Sequence, residues 1–412
     1  MINYFYDCYV ILNKVYSEKA FLKQAVSSTF IEEKNRSLTI KTVYGVLDND
    51  ALLSFYISSL TEKTPKLAIR TILKIAMFAI KFLNKHEYAI TKNAVELCKK
   101  LGKNGASGFV NAFLRKFIKT DFNLPENFID NLSIKYSYPK CFVERVVNDY
   151  GKERAESILE HREIKTCLSF FDINGEEYLK NKEFTYKLTP YDNVYFVNSF
   201  KRNEDYDKGL YTFQSIGSVA ICDAIDSCPK LLDCCAAPGG KSVRLSYKCD
   251  SVVSLELHEH RVELINEYAS RMGRKNITAI CHNSEELIQE FKGQFDAVLC
   301  DVPCTGSGVV NENPDIKLKD FSNLKELNIT QLNILKTASA YVKKGGYLYY
   351  STCSIFNSEN IDIINAFMSD IKGFEICQID SKIPHETHFG TNAFLPDISY
   401  GVGFYIAKLK KV

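Results

Sequence analysis

Two cysteines stand directly after apolar runs, where a strand would deliver a side chain to the edge of a sheet. Cys304 lies in Asp301-Val-Pro-Cys-Thr-Gly-Ser-Gly308, which follows the run AVLC, and Cys353 lies in Tyr350-Ser-Thr-Cys-Ser354. A thiol with an ordinary pKa of about 8.5 is mostly protonated at neutral pH, but its thiolate is a strong nucleophile. The pair indicates covalent catalysis, in which a thiol bonds transiently to the substrate.

A third motif, Asp233-Cys-Cys-Ala-Ala-Pro-Gly-Gly-Lys241, places a glycine-containing turn between a predicted strand and a predicted helix. Its small residues let the backbone approach a ligand closely. The turn lacks both the GxGxxG and the GxxxxGK[ST] spacing, so it favours a cofactor without phosphates, such as S-adenosylmethionine. Glu256 ends the next predicted strand, where doubly wound folds place an acid that binds ribose hydroxyls.

The elements that would position these motifs recur regularly in residues 207–412. Short apolar strands alternate with helical segments such as 259–272 and 324–342, which is typical of a mostly parallel sheet with helices on both faces. The predicted strands are LLDCC, SVVSLEL, ITAIC, FDAVLCD, GGYLYYST and GFYIAKL. We therefore predict a doubly wound, Rossmann-like α/β domain, in which ligands bind at the carboxyl ends of the strands. Residues 121–206 mix helical and β-rich stretches and predict a small α+β connecting domain.

Residues 1–120 are predicted to form an all-helical domain, because apolar positions recur at helical spacing, as in LAIRTILKIAMFAI. Helix ends are expected at Gly45, at Pro65 and at the glycine cluster of residues 102–108. Residues 51–120 contain thirteen Lys or Arg against three Asp or Glu, a balance of +10 in a chain of net charge +2. This domain is therefore a candidate surface for binding phosphates.

Composition limits the class of protein. The fourteen cysteines show no CxxC pairing typical of a zinc site, so we expect reduced thiols and no metal. The longest apolar run, residues 67–83, is interrupted by three basic residues, and the N-terminus has neither a basic start nor a cleavage site. We expect a cytoplasmic protein without a membrane partner, acting as a monomer.

The residue after Pro303 separates two reaction classes. Enzymes that methylate exocyclic amino groups carry an Asp/Asn-Pro-Pro-aromatic turn, and such amines are already nucleophilic. Cys304 suits a carbon that must first be activated, as C5 of cytosine is when a thiolate adds to C6. The residues alone leave open which cysteine attacks, since DNA cytosine methyltransferases use the Pro-Cys motif for this step.

The motifs DCCAAPGGKS, DVPCTGSG, NPDIK and YSTCS, in this order, resemble those of RNA cytosine-C5 methyltransferases. The resemblance covers nearly the whole chain and is strongest to the bacterial small-subunit ribosomal RNA branch. HEYAITKNAVELCKKLGKNGASGFVNAFLRK is similar to a NusB-like helical RNA-binding domain, and GLYTFQSIGSVA and GFYIAKLKK also match. The resemblance implies methylation of a 16S ribosomal RNA cytosine, with the RNA or an assembly intermediate as partner and S-adenosylmethionine as cofactor.

The resemblance also implies roles for individual residues. It assigns the attack on C6 to Cys353 and assistance of product release to Cys304, with Lys241 and Asp301 orienting the cytosine. The residues that it places around the cofactor are Cys235, Ala236, Ala237, Pro238, Gly239, Gly240, Lys241, Glu256, Asn283 and Asp301.

The chain departs from the family pattern at several positions. Glu256 and Asn283 stand where Asp is usual, although an amide oxygen can still accept a hydrogen bond from an adenine amino group. The stretch Leu168–Asp172 lacks an arginine of the family, and Asn311 and Glu312 replace a basic pair. These changes affect expected RNA contacts and leave the thiol chemistry intact.

Two alternatives remain at this point. The +10 balance would also suit a non-catalytic RNA-binding ribosome assembly factor that retains a cofactor fold. A DNA cytosine methyltransferase would share the chemistry with the cysteine roles exchanged, but a basic NusB-like domain favours RNA.

Overall fold

The computed structural model describes residues 2–198 and 200–412, and the chain divides into two compact units. The first comprises the chain up to Glu160 together with Val310–Phe321, and the second comprises His161–Val309 and Ser322–Val412. The boundaries near residues 120 and 206 stay predictions and differ from this division. Hydrophobic periodicity identifies the type of an element, but it does not show which core that element joins.

Every described element of the first unit is a helix, which confirms the all-helical prediction. The α-helices are α1 Ile2–Glu18, α2 Leu22–Ser27, α3 Glu33–Asp48, α4 Asp50–Leu60, α5 Leu67–Lys81, α6 Glu87–Lys100, α7 Ser107–Lys119, α8 Phe128–Lys135, α9 Lys140–Tyr150 and α10 Lys152–Glu160. Helix α5 is buried along most of its length and packs against α1, α3, α4, α6 and α7, so it forms the centre of the core.

The segment Val310–Phe321 returns to this unit from a distant part of the chain and contains a short 3-10 helix, Pro314–Leu318. Lys317 is buried there, and its Nζ lies 2.6 Å from Asp48 Oδ1 and 3.1 Å from the carbonyl oxygen of Tyr136. A buried ammonium is tolerated only when it is paired and hydrogen-bonded. These contacts therefore anchor the segment to the helices.

The predicted helix end at Gly45 is wrong, because α3 continues through this residue to Asp48. A Cβ atom on Gly45 would lie 1.9 Å from Cζ of Phe78 in α5, so the missing side chain allows the aromatic ring to pack directly on α3. Pro65 does lie between two helices, and Gly102 follows the end of α6 with a φ of 68°. Gly108, in contrast, lies within α7.

Substituting Gly45 with Ala tests this packing. Alanine raises helix propensity, but the clash with Phe78 should lower the free energy of unfolding by about 1–3 kcal/mol. Gly108→Ala is the matched control, because a Cβ there meets nothing within 4 Å. It should leave stability unchanged or raise it by up to about 1 kcal/mol. Denaturant unfolding measures both, and equal stability of the two variants would contradict the close approach.

The second unit begins with a small antiparallel sheet of order β2-β3-β1-β4. Its elements are β1 Thr166–Phe170, α11 Gly175–Asn181, β2 Tyr186–Leu188, β3 Val194–Val197, α12 Glu204–Asp207 and β4 Tyr211–Phe213. The predicted α+β character is present, and β4 lies beyond the predicted boundary at residue 206. It belongs to this sheet because it pairs with β1, Ser169 standing opposite Thr212.

The rest of the second unit is a nine-stranded sheet flanked by helices. The strands are β5 Cys228–Asp233, β6 Cys249–Glu256, β7 Ile277–Cys281, β8 Phe295–Asp301, β9 Val342–Thr352, β10 Phe374–Cys377, β11 Glu386–His388, β12 Thr391–Phe394 and β13 Phe404–Lys411. The helices are α13 Ile216–Asp223, α14 Gly240–Leu245, α15 Glu259–Arg271, α16 Leu324–Ser339 and α17 Ile361–Asp370. The helix predicted to reach residue 342 ends earlier, because Val342 already belongs to β9.

The strand order is β11-β12-β13-β9-β8-β5-β6-β7, and β10 pairs with β13. Strands β5 to β9 pair in parallel, whereas β10 to β13 are antiparallel additions. Alternate residues face opposite cores: Leu231 packs with α13 and α14, and Leu232 packs with α16 and α17. This confirms the doubly wound prediction. The chain adds β6 and β7 on one side of β5, and β8 and β9 on the other. The position between β5 and β8 is therefore the switch point at which such folds bind ligands.

Among the described residues, no helix combines the length and apolar character needed to cross a bilayer.

Candidate active site

The structure brings the two predicted cysteines together. Strands β8 and β9 are parallel neighbours, with Asp301 opposite Ser351, and each strand ends just before its cysteine loop. The Sγ atoms of Cys304 and Cys353 are 3.1 Å apart, and both side chains are half-buried. Both thiols could therefore contact the same atom of a substrate.

Hydrogen bonds close the two cysteine loops against each other. The Gly308 amide donates to the carbonyl of Cys353 over 3.0 Å, and the Gly403 amide donates to the carbonyl of Gly308 over 2.7 Å. A Cβ on Gly308 would lie 2.1 Å from the oxygen of Gly403, so only glycine permits this approach. The buried carboxylate of Glu359 also bonds to both loops. Glu359 was not predicted as a site residue, because its partner Thr305 is distant in sequence and its partner Ser354 is an ordinary serine.

Lys241 and Asp301 form an ion pair beside the thiols. Lys241 Nζ donates to Asp301 Oδ2 over 2.6 Å, and Ser351 Oγ donates to the other carboxylate oxygen over 2.7 Å. Burial by itself lowers the pKa of Lys241, but the Asp301 carboxylate, followed by the sulfurs of Cys222 and Cys353, raises it above its ordinary value. The ammonium therefore stays charged beside the Asp301 carboxylate.

The pKa of Cys304 is raised well above its ordinary value. The first cause is the hydrogen bond with Cys353, followed by burial and by electrostatic interactions with Cys353 and Glu359. Cys304 is therefore a protonated thiol at neutral pH.

The predicted cofactor turn, residues 235–241, follows β5 at the switch point. Gly239 has a φ of 103°, a left-handed conformation that favours glycine, and α14 begins at the next residue. The Ala236 amide donates to the carbonyl of Leu255, so the turn lies against the end of β6. Burial raises the pKa of Cys235 well above its ordinary value, which makes this neighbouring thiol unreactive.

A nucleoside cofactor with a cationic amino group requires hydrogen-bond acceptors, and two buried carboxylates of the site could supply them. Glu256 is 4% exposed, and its Oε1 forms an ion pair with Arg261 and accepts a hydrogen bond from the His258 amide. Asp233 is 1% exposed; its Oδ2 accepts from Ser242 over 2.7 Å, whereas its Oδ1 has no hydrogen-bond partner within the described residues. Such acceptors suit ribose hydroxyls and an ammonium group. The site fits S-adenosylmethionine.

Asn283 lies two residues beyond β7 and is half-buried. Its Oδ1 accepts from the Glu285 amide over 3.1 Å, and its Nδ2 donates to Glu286 over 3.2 Å. The side chain thus caps its own turn, although a carbonyl oxygen has a second lone pair for a ligand.

Asp233 was not predicted as a site residue, because in the sequence it resembles any polar residue at the end of a strand.

Comparisons with known proteins agree with this geometry. A family model described as 16S rRNA methyltransferase RsmB/F matches residues 224–410. The probable ribosomal RNA small subunit methyltransferase B of Bacillus subtilis (strain 168) is 30% identical over 437 aligned residues, covering 97% of this chain and 95% of that protein. The chain belongs to the RsmB/F family of 16S rRNA methyltransferases. A second relative, from Proteus mirabilis, is 26% identical over 92% of each chain.

Membership of the RsmB/F family confirms the predicted family, fold class and cofactor, S-adenosylmethionine. A NusB family model matches residues 4–119, in agreement with the predicted NusB-like helices. The solved structure of PH0851 shares the fold, with a TM-score of 0.84 at 20% identity, covering 100% of this chain and 99% of that one. A methyltransferase homolog from Pyrococcus horikoshii covers 70% of this chain and is itself covered completely, with a TM-score of 0.60 at 26% identity.

The buried carboxyl of Asp233 predicts a pH dependence of stability. Burial, followed by the charge of Asp301, raises its pKa from 3.8 to about 6, so folding favours the protonated form. Stability from this group is full below pH 3.8 and is lost as the pH rises through about 6. Asp233→Asn removes this dependence, so its stability relative to the parent should rise by about 2 kcal/mol from pH 4 to pH 7.

Urea unfolding at several pH values measures this difference. The exposed Asp250 supplies the control variant, Asp250→Asn, whose stability relative to the parent should stay nearly constant with pH. A constant offset for Asp233→Asn across the same range would show that its carboxyl ionises at no cost to folding.

Proposed function

We propose that this chain transfers a methyl group from S-adenosylmethionine to C5 of a cytosine in 16S ribosomal RNA, through a covalent bond between Cys353 and C6. The supporting observation is the 3.1 Å between the Cys304 and Cys353 sulfurs at the catalytic edge of the sheet. An enzyme that methylates an amine needs no thiol there, whereas C5 becomes nucleophilic only after a thiolate adds to C6.

The steps follow from the positions of the side chains. Cys353 Sγ attacks C6, the S–C6 bond forms, and the C5–C6 π electrons become available at C5. Residues 235–240 and Glu256 would hold S-adenosylmethionine, which would supply the methyl group to C5 and be left as S-adenosylhomocysteine. The C5 proton is then lost to a water molecule from solvent, the C5–H electron pair restores the C5–C6 double bond, and Cys353 leaves as a thiolate. Lys241 stabilises the thiolate before attack and after departure.

The unequal surroundings of the two thiols support their separate roles. We propose that Lys241, which interacts electrostatically with the Cys353 sulfur, stabilises the attacking thiolate, whereas the hydrogen bond with Cys353, burial and the Glu359 carboxylate raise the pKa of Cys304. A protonated thiol 3.1 Å away can donate a hydrogen bond to the departing sulfur and so assist product release. The reverse assignment, with Cys304 attacking, would require ionisation of the thiol that lies beside a carboxylate.

The RNA partner is supported by the helices of the first unit. Exposed lysines and arginines lie on α6, on α7 and in the connection between them, within the segment of +10 balance. Such a surface attracts a phosphate backbone without reading its sequence. We propose that it binds small-subunit ribosomal RNA.

The cysteine roles are tested with two single variants. Cys353→Ala should reduce methyl transfer to background, because no adduct can form. Cys304→Ala should accumulate a covalent protein–RNA adduct, visible as a denaturation-resistant band shift, because release is impaired. Cys377→Ala, which removes a thiol of β10 outside the active site, controls for general damage to the domain.

Full activity of Cys353→Ala would refute the nucleophile assignment. An adduct in Cys353→Ala, but not in Cys304→Ala, would show that Cys304 attacks and Cys353 assists release. If the parent chain bound S-adenosylmethionine and RNA but transferred no methyl group, a non-catalytic assembly factor would be the better description.

The RNA surface is tested by salt dependence. Replacing Lys99, Lys103, Lys116 and Lys119 with Gln should weaken RNA binding and reduce the slope of log K against log salt by about 0.7–0.9 for each lost phosphate contact. Gln substitutions at Lys344 and Lys372, exposed lysines of the second unit, form the control. Fluorescence anisotropy at several salt concentrations measures the slopes, and equal slopes would argue against this surface.

A further inference from the structure

Glu359 is a fully buried carboxylate at the end of a short 3-10 helix, Asn357–Glu359. Its Oε1 accepts hydrogen bonds from the Thr305 amide over 2.9 Å and from Gln331 Nε2 over 3.0 Å. Its Oε2 accepts from the hydroxyls of Thr305 and Ser354, each over 2.5 Å. Four donors therefore converge on one side chain.

These donors belong to the two cysteine loops and to the helix behind them. Thr305 is the residue after Cys304, and Ser354 is the residue after Cys353. Gln331 of α16 also donates to the carbonyl of Pro303 over 2.9 Å, on the other side of Cys304. Beyond the last paired residues of β8 and β9, Glu359 bonds to both loops at once.

We propose that Glu359 is a positioning residue, which holds the Cys304 and Cys353 loops at the one separation that lets both thiols act on the same base. This role deepens the proposed cytosine chemistry and rests on it. Glu359 itself touches neither sulfur in any hydrogen bond among the described residues, so it acts through Thr305 and Ser354.

The energetics favour positioning over simple stabilisation. Removing an ionised carboxylate from water costs several kcal/mol, and apolar residues of similar volume often fill such a place at least as stably. Unlike an apolar side chain, a carboxylate forms directional hydrogen bonds, and its two oxygens fix the positions of the donors around them. Thiol chemistry needs that precision, because a misplacement of about 1 Å can reduce the rate about a hundredfold.

Two substitutions separate this role from mere folding. Glu359→Gln can keep all four hydrogen bonds: its carbonyl oxygen accepts from the Thr305 amide and Gln331, and its amide donates to the hydroxyls of Thr305 and Ser354, which rotate to accept. Glu359→Ala loses all four. Asn392→Ala is the control, since Asn392 is equally buried and bonds to the Ile379 carbonyl, away from the cysteine loops.

The readout is the separation of the thiols, measured without RNA. A short bifunctional thiol reagent bridges Cys304 to Cys353, and peptide mass spectrometry compares this bridge with that between Cys228 and Cys249, whose sulfurs are 3.5 Å apart in the same sheet. Glu359→Gln and Asn392→Ala should keep the ratio of the parent chain. Glu359→Ala should lower it about tenfold, and should lower kcat about a hundredfold with little change in KM for RNA.

A folded Glu359→Ala variant that bridges its thiols and turns over like the parent would overturn the proposal. If this variant does not fold, Thr305→Val takes its place, because it removes one hydroxyl link and keeps the side-chain shape; an unchanged bridging ratio there would contradict the proposal equally. Because bridging needs no methyl transfer, a parent chain without cytosine C5 activity would refute the proposed function while the bridging result still decided the role of Glu359.

Discussion

The parallel pairing of β8 with β9 is the constraint on which the active site depends. Its register sets Asp301 opposite Ser351, and the thiols then follow within three residues on one strand and two on the other. The same register lets Ser351 bond to the Asp301 carboxylate, which in turn holds Lys241. A shift of one residue in this pair would turn alternate side chains to the other face of the sheet and separate all of these groups.

The site combines charges of opposite sign within a buried volume. Lys241 interacts electrostatically with the sulfur of Cys353, and Glu359 adds to the rise in the pKa of Cys304, whose first cause is the hydrogen bond with Cys353. Neither charge is left unsatisfied: Lys241 is neutralised by Asp301, and Glu359 receives four hydrogen bonds. Burial strengthens both effects, because few water molecules are present to screen them.

Much of the fold could be predicted from the sequence, since strands such as FDAVLCD and helices such as α15 have clear periodicity. The thiol pair and the cofactor turn could be predicted because strand ends meet at one edge. Gly45, Asp233 and Glu359 show what could not be predicted. The role of each depends on a neighbour that is remote in sequence, such as the Phe78 ring or Thr305, and local patterns contain no information about such contacts.

The burial of Lys317 against Asp48 has a consequence for biosynthesis. The first unit is assembled from two stretches of chain, and the second stretch leaves the ribosome only after β5 to β8 have been synthesised. Until then Asp48 lacks its ion-pair partner Lys317. The order of translation therefore delays completion of the helical unit until most of the parallel strands of the catalytic sheet have emerged.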